Sequence, residues 1–406
     1  MTQISSKIRK DFPFFDTNKN RANIIYFDNA ATTQKPRVVI NAVSDFYSSY
    51  NSNVHRGGYL LANRATEMFE LTRELIQKYI NSKSKEEIIF TSGTTQSVNL
   101  VAHSFIKKFL KKGDTILVSK MEHHSNIVPW QLACKQYGLK IKELALKIDG
   151  TINLNFLKKI KNTSIKLIVF QHVSNVTGAE NNIKEIINVC KKHNIYTFID
   201  GAQAIAHKKI DVQSINCDFY CFSGHKCLGP TGTGILFGKK ELLEIMPPYM
   251  GGGEMIDSVN LQNSSWNKLP YKFEAGTPNI AGFIGLGKAF LYLKKIGLHK
   301  INALEQELIN TLYKELKKIE NIVFYSSAQG STICTFNIKG IHSYDLGALL
   351  NEQGVCVRTG HLCAQPATKL FKTNSFIRIS LSFYNTQEEI FQFITCLNKS
   401  IKILLK

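Results

Sequence analysis

Residues 218–237 read DFYCFSGHKCLGPTGTGILF. Apolar runs at 219–222 and 235–237 flank a glycine-rich turn that carries Lys226 and Cys227. The runs are apolar without alternation, as strands buried on both faces are. The same signature recurs at 87–90, 115–118, 165–170 and 195–199. Helix-like segments separate these runs, from the turn at 92–95 to about 105, at 126–137 and at 183–193. Continuous apolar strands alternating with helices predict an α/β fold, a mostly parallel sheet covered on both faces. Catalytic and binding groups of such sheets gather beyond the carboxyl ends of the strands. Four polar segments fall there: 92–95, 175–178, 200–203 and the turn at 223–234.

The pattern changes after about residue 280. Long amphipathic helices are expected at 282–295, 300–319 and 387–405, with strand-like pieces at 321–325, 332–338, 354–358 and 376–381. This reads as a smaller α+β C-terminal domain. The expected division is a large domain over 26–280 and a small one made of 1–25 and 281–406. The segment 250–272, with Gly251, Gly252 and Gly253, reads as a mobile loop or a subunit contact.

A chain of 406 residues with 44% hydrophobic and 20% charged residues can bury a sizeable core. No apolar run approaches the roughly 18 residues of a membrane helix. The N-terminus lacks the apolar core of a signal peptide, and Asp11 and Asp16 speak against a transit peptide. A cytoplasmic protein is expected. The net charge of +20 raises the possibility of nucleic-acid binding. The charge is almost all lysine, however, spread along the chain without a dense basic block, so solvated faces explain it better. The nine cysteines form no paired C-x-x-C framework, so neither a zinc nor a disulfide scaffold is expected, and no metal site.

The strand-end segments carry the chemistry. Ser92-Gly93-Thr94-Thr95 opens a helix, whose free N–H groups and hydroxyls suit a phosphate. Asp200 ends an apolar strand, where a carboxylate needs a cation. Lys226 sits in a tight turn between Ser223 and His225, and a desolvated lysine forms Schiff bases. Each feature alone has an ordinary structural explanation: a helix cap, a surface turn, a solvated lysine. Together they are the minimal apparatus for pyridoxal phosphate, with a phosphate seat, an amine for the aldehyde and a carboxylate for the ring nitrogen.

The chain closely resembles the cysteine desulfurases of the class V aminotransferase group, in particular the SufS-like branch. The stretches that carry the resemblance are YFDNAATTQKP (26–36), NVHRG (53–57), FTSGTTQSVNL (90–100), MEHHSNIVPWQ (121–131), HVSNVTG (172–178), DGAQAIAH (200–207), DFYCFSGHKCLGPTGTGIL (218–236), FEAGTPN (273–279) and RTGHLCAQP (358–366). The resemblance implies the type I fold of PLP-dependent transferases, with a seven-stranded sheet in the large domain. It implies that Lys226 binds the aldehyde of pyridoxal 5′-phosphate, that His123 stacks on the ring and helps move protons, and that Asp200 pairs with the ring nitrogen. Gln203 would reach the ring hydroxyl. Thr94, Thr95, Ser223 and His225 would hold the phosphate, and Thr277 would reach the phosphate of a partner subunit in a homodimer. Asn175 and Arg378 would hold the substrate carboxylate. The arginine distribution adds Arg358: it and Arg378 are the only arginines after Arg73, and a bidentate grip on a carboxylate is a task lysine does poorly.

Cys363 is implied as the persulfide-forming nucleophile, with Arg358 and His361 near enough in sequence to favour its thiolate. The SufS-like branch usually has a second histidine before this cysteine; here the position is Leu362. The implied reaction converts L-cysteine to L-alanine. Lys226, released by the substrate, takes the Cα proton, and Cys363 takes the sulfur for an acceptor of the SufE or SufU type and a SufBCD scaffold that builds iron–sulfur clusters. Selenocysteine and cysteine sulfinate are alternative substrates. A plain aminotransferase is a rival that Cys363 opposes, since transamination needs no thiol.

Overall fold

The computed structural model describes residues 7–16, 24–160, 163–328 and 331–405. A seven-stranded sheet runs in the order Ile88–Thr91, Gly234–Gly238, Phe219–Ser223, Tyr196–Asp200, Ile165–Gln171, Thr115–Ser119, Lys140–Leu144. Neighbours pair in parallel except Gly234–Gly238, which is antiparallel to the strands on both sides. Both faces are covered, and the strands divide their side chains accordingly. In Ile165–Gln171, Ile168 and Phe170 enter one core while Leu167 and Val169 enter the other. Helices Thr94–Phe109 and Val128–Tyr137 close the second core, and Arg37–Ser49, Leu60–Tyr79, Ile183–Lys192 and Ile280–Ile296 close the first. Helix Ile280–Ile296 comes close to its neighbours because it carries glycines; a Cβ at Gly287 would lie 2.4 Å from Thr72 Oγ1.

Lys140–Leu144, with the sequence KIKEL, has no apolar run and was not expected as a strand. It is the exposed edge, where lysines discourage further strand pairing. The 250–272 segment contains a short antiparallel hairpin, Ile256–Val259 with Ser264–Trp266, whose Val259, Leu261 and Trp266 side chains are exposed. Among the described residues no helix is long and apolar enough to cross a membrane.

A second sheet, antiparallel, orders Ile322–Phe324, Ile333–Ile338, Phe376–Ser380 and Arg358–Gly360. Its core takes in helices Leu298–Leu316, Ser343–Glu352 and Gln387–Leu404, the last opened by a Thr386–Glu389 capping box. The strand expected over 354–358 is two short ones, Val355–Cys356 and Arg358–Gly360, the first paired with Ile25–Tyr26. Ile25 and Phe27 therefore belong to the smaller core. We propose a two-domain division on these cores. Helix Ile280–Ile296 falls with the larger core, as do Ile301 and Leu304, so the proposed division passes through helix Leu298–Leu316 rather than at 280/281. Much of the 1–25 segment lies outside the described residues.

Candidate active site

The carboxyl ends of five strands of the seven-stranded sheet open into one cavity of about 390 Å³, closed over by residues of the second sheet and its loops. Thr94, Thr95, His123, Asn175, Asp200, Gln203, Ser223, His225 and Lys226 line it from below. Arg358, Cys363 and Arg378 line it from the small domain. The structure thus gathers every residue singled out in the sequence except Thr277, which lines a separate hollow of about 200 Å³ beside His55 and Glu254.

One end of the cavity is built for an anion. Thr94 is the first residue of the 16-residue helix Thr94–Phe109, so backbone N–H groups without helical partners and the positive end of the helix dipole face it. Gly234 has no side chain at a point where a Cβ would sit 2.3 Å from Gly93, which lets the 92–95 turn lie against the strand. Ser223 is thereby brought to Thr94: the Thr94 N–H donates to Ser223 Oγ at 2.9 Å, and the two hydroxyls are 2.9 Å apart.

The other end is titratable. Asp200 is buried, with Oδ1 accepting from the Ala202 N–H at 2.9 Å. Burial pushes its carboxyl up, and the nearby Lys226 ammonium opposes this. Burial pushes Lys226 down from the ordinary lysine value, against the pull of Asp200. His123 is held down to about 3 by burial and then by Lys226, so its ring is neutral at physiological pH. Its Nδ1 accepts from the Ser125 N–H at 3.1 Å, which leaves the ring proton on Nε2. His225 is likewise held down to about 4, by burial, Lys226 and Lys35. Gln203 donates through Nε2 to the Ala30 carbonyl at 2.8 Å, which fixes its amide at the cavity wall.

Arg378 is buried. It donates through Nη1 to the Asn175 carbonyl at 2.9 Å and through Nη2 to Asp28 at 3.1 Å. Two buried polar atoms here have no partner, Arg378 Nε and Asn175 Oδ1, and both residues line the cavity. A donor and an acceptor left open at a cavity wall suit a ligand with a carboxylate and N–H groups. Arg358 is half exposed and pairs with the second oxygen of Asp28 at 2.9 Å.

Of the nine cysteines, Cys363 is the one classed as exposed, and it lines the cavity. Leu362 is buried in a small apolar cluster with Met121, Val176 and Phe376. Cys227, beside Lys226, is fully buried, and burial pushes its thiol up to about 12. It packs and does not ionise.

Sequence reasoning missed the strap at 28–35. Asp28 bridges both arginines, Ala30 anchors Gln203, and Thr33 and Lys35 bind the backbone at His225. The signal for Asp28 was available: two isolated arginines require a carboxylate partner, and acidic residues are scarce in this chain.

The model of the aminotransferase class-V family matches residues 25–393. A cysteine desulfurase of Wigglesworthia glossinidia brevipalpis is 47% identical over 400 residues, covering 98% of each chain. A cysteine desulfurase of Salmonella agona is 42% identical over 405 residues, covering 100% of each. Among solved structures, the cysteine desulfurase CsdA of Escherichia coli, in an S-sulfonic acid form, superposes with a TM-score of 0.92 at 33% identity and covers 98% of each chain.

Proposed function

We propose, from the premise that the chain belongs to the aminotransferase class-V family, that it is a cysteine desulfurase converting L-cysteine to L-alanine and leaving the sulfur on Cys363. The observation that carries this reading is that Cys363, the one exposed cysteine, opens into the cavity that Lys226 also lines. A plain aminotransferase has no use for that thiol.

The cofactor of the family is pyridoxal 5′-phosphate, and the donor set fits it: a buried carboxylate, a lysine and a helix N-terminus with hydroxyls share one cavity. When bound, it supplies an aldehyde for amines and an electron sink for charge developing on a substrate Cα. Lys226 would hold the aldehyde, and Asp200 the ring nitrogen as an ion pair. Thr94, Thr95, Ser223 and His225 would hold the phosphate, and Gln203 the ring hydroxyl. His123, neutral with its proton on Nε2, would lie over the ring and pass protons. Arg378, Asn175 and Arg358 would orient the substrate carboxylate, Arg378 through its open Nε–H. Lys226, whose pKa burial lowers, would take the Cα proton once the substrate amine has replaced it. The Cys363 thiolate forms a bond to the substrate sulfur; the C–S bond breaks with its electron pair remaining on Cβ, which then takes a proton.

Selenocysteine and cysteine sulfinate belong to the same proposal as further substrates. So do a homodimer in which Thr277 serves the partner's cofactor, a SufE-like or SufU-like acceptor with a SufBCD scaffold for iron–sulfur clusters, and a cytoplasmic setting. The test is turnover of L-cysteine and of cysteine sulfinate by wild type, Cys363→Ala and Lys226→Ala. The proposal expects Cys363→Ala to lose cysteine turnover while keeping sulfinate turnover, since sulfinate leaves without a thiol, and Lys226→Ala to lose both. Cysteine turnover by Cys363→Ala at the wild-type rate would overturn it.

A further inference from the structure

Cys363 sits in an awkward backbone. Leu362 and Cys363 are consecutive residues in the left-handed region, with φ of 55° and 53°. Neither is glycine, and residues with a Cβ are disfavoured there, so the loop needs fastening from outside. Three hydrogen bonds from the large domain supply it. Asn175 Nδ2 donates to the Leu362 carbonyl at 2.8 Å, and the His124 N–H donates to the Cys363 carbonyl at 2.7 Å. The Gln365 N–H donates to His124 Nε2 at 2.9 Å. Gln365 is the first residue of the helix Gln365–Leu370, so its N–H has no acceptor within the helix. The His124 ring supplies one.

We propose that His124 is the positioning residue of the nucleophile loop, a latch that holds the chain at the Cys363 carbonyl and again at the Gln365 N–H. Its ring accepts through Nε2, so its proton is on Nδ1; a second proton abolishes the acceptor. The titratable groups facing the ring are His361 on the nucleophile loop, at a ring separation of 5.4 Å, and His123 on its own segment, at 6.3 Å. Among the described residues no carboxylate contacts it. Burial and then His361 hold its pKa below the ordinary histidine value. The sign follows: the ring favours its neutral form in the folded protein, so the latch is intact above the ordinary value of about 6.5 and is lost as pH falls through the lower folded value. The importance of the latch for turnover rests on Cys363 being the nucleophile; the latch itself does not.

The test compares wild type, His124→Gln and His124→Phe as holoenzymes by amide hydrogen exchange over residues 361–366, corrected for intrinsic rates. Glutamine keeps an acceptor but does not titrate; phenylalanine keeps a flat ring but accepts nothing. Exchange of this segment is expected to be about two- to ten-fold faster in His124→Phe at neutral pH, the loss of one partly exposed hydrogen bond. Wild type should gain the same acceleration on acidification, and His124→Gln should not. In cysteine turnover, His124→Phe should lower kcat more than it raises KM, with His124→Gln recovering most of the loss. Wild-type exchange in His124→Phe, or an unchanged acid step in His124→Gln, would overturn the proposal. Exchange is read whether or not cysteine is consumed, so a wild type that forms no persulfide would end the desulfurase reading and leave the latch standing.

Discussion

The Lys35 ammonium donates to the His225 carbonyl at 2.9 Å, at the residue immediately before Lys226. The Thr33 N–H and the Thr32 and Thr33 hydroxyls converge on the same oxygen. Lys35 is the charged member of the group, and burial lowers it to about 8. Replacing it with methionine keeps the bulk and loses the donor. Lys35→Met is expected to lower kcat for cysteine by roughly ten-fold, the scale at which small displacements act on a reacting group. It should also shift the pH titration of the bound cofactor's visible absorption. Steady-state kinetics and absorption spectra check this; a variant that only melts earlier would refute the positioning role.

Arg378 presents a planar fork held by Asn175 and Asp28, with Nε left open. Arg378→Lys keeps the charge and loses the fork. The KM for cysteine should rise about ten-fold or more, with a smaller change in kcat, as expected when a fixed guanidinium N–H aimed at the carboxylate is replaced by a mobile point charge.

His123 gives a pH dependence of stability. Its folded value, about 3, lies below the ordinary value of about 6.5, so the unfolded chain binds a proton that the folded chain refuses. The folded state therefore loses stability as pH falls from about 6.5 toward the folded value, at up to about 1.4 kcal/mol per pH unit from this group. Unfolding free energies from urea titrations at two pH values should fall less steeply for His123→Gln than for wild type, by about 1 kcal/mol over the first unit.

Leu362 packs with Met121, Val176 and Phe376. Leu362→His would bury an imidazole among apolar groups. It is expected to cost about 1–3 kcal/mol of stability by denaturant unfolding.

Much of this architecture was legible because buried parallel strands are written as unbroken apolar runs, as at Ile165–Gln171. The edge strand Lys140–Leu144 was not, since its exposed lysines look like a loop. In the site, Lys226 and Asp200 announced themselves by their places at strand ends. Cys363 was singled out by resemblance alone; nine scattered cysteines gave no way to choose among them until exposure did. Asp28 and His124 stayed hidden because their partners are remote, Arg378 lying 350 residues beyond Asp28 and Gln365 lying 241 beyond His124. Hydrogen bonds between residues so far apart in the chain leave no local pattern.

The central claim is that sulfur passes from cysteine to Cys363 under the action of Lys226. The most direct measurement is the mass of the peptide containing Cys363 after the holoenzyme has been incubated with L-cysteine without a thiol acceptor. The account predicts a wild-type peptide one sulfur atom heavier, reversed by reductant, and no such peptide from Cys363→Ala or Lys226→Ala. Alanine released at the wild-type rate with no added sulfur on Cys363 would contradict it.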